Sequence, residues 1–257
     1  MKLKLGKIAK AFAPVIAIAM AAGVSGCDGM NFKINGDEGK PLSELDLSGD
    51  PPKELVLLGP DEVRVTTGDK LAISIEGDAA IKDQLRFTLK DGTLGILRKD
   101  KTFGDGDKVA VINVTMPAPS EVVMAGSGKI SAPALASVAK VSVAGSGTIE
   151  SQALAGDSLD LTIAGSGNFR GAGNVKELDM TIAGSGSGQM DALRVDKAKV
   201  SIAGSGDTAF TSDGEVDASI MGSGTVTVKG RAKCKVSAMG SGKLVCETAP
   251  ETKKDEE

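Results

Sequence analysis

The chain has 257 residues, with 30 Lys and Arg against 34 Asp and Glu, 34 glycines, and no His, Trp or Tyr. The absence of histidine excludes a Ser–His nucleophile pair, zinc sites with His ligands and the commonest general base. The acidic balance supplies no basic face for nucleic acid.

Lys2, Lys4, Lys7 and Lys10 form a positive n-region, followed by an apolar run over residues 11–24. That run is too short for the ~20 residues of a spanning helix, so residues 1–26 read as a secretory signal peptide. The run ends in Val24-Ser25-Gly26-Cys27, which resembles a bacterial lipobox. Cys27 is then the expected lipidation site, and the expected partner through that lipid is the membrane. The alternative is ordinary cleavage after Ala19-Met20-Ala21. Cysteine arithmetic favours the lipobox: lipidating Cys27 leaves Cys234 and Cys246, which can pair in an oxidising envelope. Removal of the four leader lysines leaves 26 basic and 34 acidic residues, a net charge of −8.

Residues 27–52 are rich in Gly, Asp, Glu, Lys and Pro and read as a lipidated N-terminus and a weakly ordered tether, with Leu42, Leu45 and Leu47 able to pack on the body. Short strands follow: Leu55-Val56-Leu57-Leu58, Val63-Arg64-Val65-Thr66 and Leu71-Ala72-Ile73-Ser74-Ile75, each closed by a turn dipeptide. Residues 79–84 make a helical turn or a loop. Leu85-Arg86-Phe87-Thr88-Leu89 and Leu94-Gly95-Ile96-Leu97 flank Asp91-Gly92 and predict a β-hairpin. A polar loop over residues 99–108 precedes one more strand, residues 109–114.

From residue 121 a repeat takes over. Gly-Ser-Gly begins at Gly126, Gly145, Gly165, Gly184, Gly204, Gly222 and Gly240, at steps of 18 to 20 residues. A fixed period of that size is the mark of a solenoid. Two residues before each first glycine stand Met124, Val143, Ile163, Ile182, Ile202, Ile220 and Ala238; four before stand Val122, Val141, Leu161, Met180, Val200, Ala218 and Val236. Between those columns lie Val123, Ser142, Thr162, Thr181, Ser201, Ser219 and Ser237. This is a strand with an apolar inner face and a Ser/Thr outer face. After the motif the inward pattern resumes with Ile130, Ile149 and Phe169, lapses at Gly188 and Thr208, and returns at Val226 and Leu244. Each coil therefore reads as strand, tight corner, strand and a looser return. The expected fold is all-β: a parallel β-solenoid of about seven coils over residues 121–249, preceded by short strands and a hairpin, with a charged tail at 250–257.

The seven motif glycines read as structural turns, because glycine allows positive φ and close stacking. A column of Ser hydroxyls able to hold an anion or glycan is the alternative. Gly126-Ser127-Gly128-Lys129 and Gly240-Ser241-Gly242-Lys243 fail as phosphate loops, since Val123 and Ser237 stand where the first glycine is needed and Ile130 and Leu244 where Ser or Thr is needed. Gly104-Asp105-Gly106-Asp107 lacks the acid ladder of a calcium loop and reads as a turn. Cys234 shares a column with Leu159, Leu178 and Val216, and Cys246 one with Met190, Phe210 and Val228. Both columns point inward and predict a disulfide across the last coil, with two buried thiols as the alternative. No catalytic constellation, metal site or cofactor site is expected.

Leu-Leu-Gly-Pro-Asp-Glu-Val-Arg-Val, then Gly-Asp-Lys-Leu-Ala-Ile-Ser-Ile-Glu-Gly-Asp, the Asp-Gly hairpin and the first Ala-Gly-Ser-Gly-Lys-Ile resemble the bacterial GIN domain, described as an autotransporter-adhesin head. The resemblance spans roughly residues 53–249. It implies a right-handed β-helix-like solenoid in the bacterial cell envelope, on either membrane's periplasmic side or at the surface, and assigns no catalytic or ligand residues. The leading expectation is a non-enzymatic, lipid-anchored envelope protein presenting a repetitive surface for adhesion to an envelope polymer, glycan or protein. A periplasmic polysaccharide-binding module is the alternative, and a β-helix polysaccharide enzyme the third reading.

Overall fold

The computed structural model describes residues 18–20, 32–99 and 108–248. Cys27, the Gly104–Asp107 turn, the charged tail and all of the expected leader except Ile18–Met20 lie outside them. Ile18–Met20 is β1, antiparallel to β2 (Phe32–Ile34). Then follow β3 (Glu54–Leu58), β4 (Glu62–Thr67), β5 (Ala72–Glu76), the single helical turn α1 (Ala79–Lys82), β6 (Leu85–Lys90), β7 (Thr93–Arg98) and β8 (Val111–Met116). The repeat region holds β9 (Glu121–Gly126), β10 (Lys129–Ser131), β11 (Val138–Gly145), β12 (Thr148–Gly165), β13 (Asn168–Gly184), β14 (Ser187–Gly204), β15 (Asp207–Gly222), β16 (Thr225–Gly230), β17 (Lys233–Gly240) and β18 (Lys243–Thr248). The protein is a β-solenoid with parallel walls.

Each Gly-Ser-Gly joins two walls. The wall before it stacks β9, β11, residues 158–165 of β12 and their equivalents in β13, β14, β15 and β17, in register from Gly126 to Gly240. The wall after it stacks β10, the starts of β12 to β15, then β16 and β18. Both predicted apolar columns point inward. Met124, Ile163, Met180, Phe169 and Phe210 are fully buried, and a single core runs the length of the rod. The two lapses in the inward pattern are one packing solution. Phe169, Gly188 and Thr208 follow one another up the stack. A Cβ on Gly188 would stand 2.5 Å from the Met180 methyl, so the glycine leaves room for methionine. The buried Thr208 hydroxyl donates to the Gly188 carbonyl at 3.1 Å.

The return of each coil is more regular than its sequence suggests. β12 to β14 run 17 or 18 residues without a break, and residues 154–156, 173–175 and 193–195 form a third ladder behind small register shifts. Leu154, Val175, Leu193 and Val195 seal this side. Alternation is lost there because bulges change which residues face inward.

The region before the repeat is part of the same rod. β3 lies parallel to β9 and β4 parallel to β10, so Gly59-Pro60-Asp61 is a corner stacked directly beneath Gly126-Ser127-Gly128. β7 and β8 form a further rung beneath β3 and β4. Spatial order therefore departs from chain order: the rung at 54–67 is held between those at 93–116 and 121–131. Below β7 and β8 the ladders turn antiparallel, with β6 on β7 and β5 on β8. The predicted hairpin turns through Asp91 and Gly92, both at positive φ.

Within the segment read as a weakly ordered tether, Ile34, Lys40, Leu42 and Leu45 meet the body. Lys40 exchanges backbone hydrogen bonds with Phe87 at 2.9 and 2.8 Å, and Leu42 and Leu45 pack on the core. Ile34 is buried against Val56, Leu58, Leu97 and Val123 on the outside of the wall. This explains why Leu55–Leu58 is apolar without alternation and why Val123 replaces Ser or Thr: both faces of these strands are covered.

Candidate functional site

At the corners, Gly184 shows why the motif recurs. It has φ 128°, and a Cβ would stand 2.4 Å from the carbonyl oxygen of Gly165 in the rung below. The Ser185 amide donates to that same oxygen at 2.9 Å, as Ser146, Ser166, Ser205 and Ser223 do one rung apart. The motif serines are exposed along the ridge. All seven first glycines have positive φ.

On the outer face of the first wall, register converts sequence into columns. Glu121, Lys140, Asp160, Asp179, Lys199, Asp217 and Lys235 stand one above another. Two residues earlier runs Ser158, Glu177, Lys197, Glu215 and Lys233. From β13 onward whole rungs alternate in sign: two acids, two lysines, two acids, two lysines. Opposite charges directly across a ladder stabilise it and penalise slippage. From Glu121 upward acid meets acid once, where Asp160 faces Asp179, and below it Glu54 faces Glu121. Burial, then the neighbouring Asp179, push the Asp160 carboxyl above its ordinary value, with Lys140 opposing. Burial and the Glu54 charge likewise push Glu121 up. Beside these columns lies the Ser/Thr column of Ser142, Thr162, Thr181 and Ser201, half-buried.

The second wall carries Lys129, Glu150, Arg170 and Gln189. Glu150 receives Lys129 at 2.9 Å and Arg170 at 3.1 Å, and Arg170 also donates to Gln189 at 2.9 Å. The Lys129 hydrogen bond, supported by Arg170, holds the Glu150 carboxyl below its ordinary value. On the third side a shallow groove of about 340 Å³ is lined by Lys176, Arg194, Asp196 and Asp213 among others. Its cations face acids of adjacent rungs: Lys176 lies 2.7 Å from Asp157 and Arg194 3.5 Å from Asp213.

Cys234 and Cys246 form a disulfide across the last coil, with Cα atoms 6.7 Å apart. A buried pair escaped the sequence reading. Asp61 accepts from Arg98 at 2.8 and 2.7 Å and from the Ala110 amide at 2.9 Å, while Arg98 also donates to the Lys108 carbonyl at 2.8 Å. The pair closes both ends of the loop joining β7 to β8. Its signal was an Asp in a corner position otherwise held by glycine. Among the described residues no group of three acidic or cysteine side chains could hold a metal, and no helix is long and apolar enough to cross a membrane.

A parallel ladder with glycine corners in vertical register is also the setting in which relatives become recognisable. Residues 51–232 match a protein family described as "putative auto-transporter adhesin, head GIN domain". The chain belongs to this GIN-domain family. Similar solved structures include a "putative adhesin" from Bacteroides fragilis, 18% identical with a TM-score of 0.65, covering 77% of this chain and 93% of that one. A "putative lipid binding protein" from Parabacteroides distasonis is 22% identical with a TM-score of 0.60, covering 77% and 94%. A "putative adhesin" from Parabacteroides merdae is 19% identical with a TM-score of 0.59, covering 77% and 92%. At these identities the GIN-domain likeness is one of fold. None of these three is named as an enzyme. A comparison with curated proteins gives no match.

Proposed function

We propose that this GIN-domain chain is a non-enzymatic adhesive head of the bacterial cell envelope, tethered by lipid on Cys27. The observation that carries the reading is the in-register polar surface: outer walls present columns of charge and hydroxyl repeated at strand spacing. Repeating flat faces suit avid contact with a repetitive partner surface. The lipobox-like Val24–Cys27 run supports the anchor, and family membership supports the adhesive role. Fatty-acid labelling of the parent and of Cys27→Ala tests the anchor, with loss of label and release from membranes expected in the variant. Unchanged membrane retention would overturn it. Protease applied to intact cells should cleave the head; protection until the outer membrane is breached would rule out an exposed adhesin.

A second reading, a polysaccharide-binding module, is favoured by the Ser142–Thr162–Thr181–Ser201 column, which offers hydroxyls at one-strand intervals. A lipid ligand would have to lie on the outside as well, since Phe169, Met190 and Phe210 fill the interior. A glycan array with the purified head separates polysaccharide binding from protein adhesion.

A further inference from the structure

The two ends of the rod are finished differently. At the β6 end each wall finishes in an antiparallel strand, and the Lys40 segment bridges to Phe87 of β6, while β5 pairs only with β8 among the described strands. At the other end β17 pairs only with β15 and β18 only with β16 among the described strands. Both leave an edge open to a further strand. The inner columns also run out into solvent here. Val122, Val141, Leu161, Met180, Val200 and Ala218 are 0–3% exposed, whereas Val236 in the same column is 53% exposed. On the outer faces of the same last coil Met239 and Val245 are 59% and 42% exposed. Residues 249–257 follow β18, but Ala-Pro-Glu-Thr-Lys-Lys-Asp-Glu-Glu has no large apolar side chain to cover Val236.

We propose that this end is closed by the same end of a second copy, related by a two-fold axis through the last corner at Ser241. An axis lying across the rod reverses strand direction, so the edges meet antiparallel. Passing through the corner, it exchanges the two walls, setting β17 of each copy on β18 of the other and covering both open edges at once. An axis through the middle of β17 would leave β18 open. With Ser241 on the axis, Ala238 faces Leu244 of the second copy and Val236 faces Cys246. All four belong to inward columns, so the two cores become continuous. On the outer face Lys235 falls opposite Glu247 of the second copy, twice by symmetry. A one-residue slip sets inward side chains against outward ones; a two-residue slip that moves the axis to Gly242 loses the ion pair, and one that moves it to Gly240 sets Lys233, not Lys235, opposite Glu247. Such a contact is isologous and closed, so it ends at two copies.

Sedimentation of the full chain tests this independently of any lipid anchor. The parent should dimerise. Lys235→Glu and Glu247→Lys alter exposed side chains and should each weaken the dimer about tenfold, and the double exchange should restore it. On a Cys27→Ser background, Ser241→Cys should form a disulfide-linked dimer under mild oxidation, while Ser127→Cys at the first corner should not. A parent that stays monomeric at every soluble concentration overturns the proposal, also if removing residues 249–257 then permits dimerisation, which would make the tail the occupant. Equal dissociation constants for parent and Lys235→Glu, or equal cross-linking at Ser127 and Ser241, overturn it as well.

Discussion

Single residues carry the corners and the first rung. Gly184 has no alternative: any side chain meets the Gly165 carbonyl at 2.4 Å while the backbone holds φ 128°. Gly184→Ala should therefore lower stability by more than ~1 kcal/mol, whereas Ser185→Ala, at an exposed ridge position, should stay within ~0.5 kcal/mol in chemical denaturation. Asp61 and Arg98 are 1% and 5% exposed at their side chains. Removing one member of a buried pair leaves a charge in a low-dielectric setting. Asp61→Ala should cost about 3–5 kcal/mol, read as a fall in denaturation midpoint. The double replacement Asp61→Leu with Arg98→Met should cost less than the sum of the two single changes.

At the scale of the strand and its ladder, vertical register decides which neighbours a charge has. Asp160 sits between Lys140 and Asp179, the one place on its column where acid follows acid within the repeat. Its carboxyl is raised above the ordinary value, so the native state takes up a proton more readily than the unfolded chain. The destabilisation is full at neutral pH and is relieved as pH falls through the raised native value. Asp160→Asn should raise the melting temperature near pH 7, and the gain should shrink as pH falls into the carboxylate range. A lower melting temperature at pH 7 would contradict the assignment. The rod is legible in sequence wherever one residue type recurs at one position, as at Gly126 to Gly240 and in the inward Val, Ile and Leu columns. Legibility fails where a rung reaches the same geometry with other residues. Gly59-Pro60-Asp61 stacks beneath the first motif but shares only its first glycine. The Asp61–Arg98 pair and the seat of Ile34 on Val56 depend on contacts between segments far apart in sequence. The return ladder hides behind bulges that shift the alternation.

For the whole molecule, asymmetry of the ends orients any surface role. The docked segment at Ile34 and Lys40 lies on the first rungs, and the open Val236 end lies at the opposite pole. Nine rungs at strand spacing make a rod of roughly 45 Å. Two copies joined at Ser241 would carry their N-terminal segments at the far ends of a rod about twice that long. That arrangement leaves the charge-alternating walls free along the sides.

The interleaved rungs also set a timetable for assembly. Coils from β11 to β15 contact partners about twenty residues away, so their loops close at small entropic cost. Glu54–Thr67 emerges earlier but has to wait for β7 and β8 on one side and β9 and β10 on the other. Growth from the N-terminus is thereby blocked, and the first-made rung becomes a keystone set late. Pulse-labelled hydrogen exchange during refolding should find amides of β12 to β14 protected before those of β3 and β4. A chain arriving by secretion, N-terminus first, would keep this sticky rung exposed until some sixty further residues have crossed.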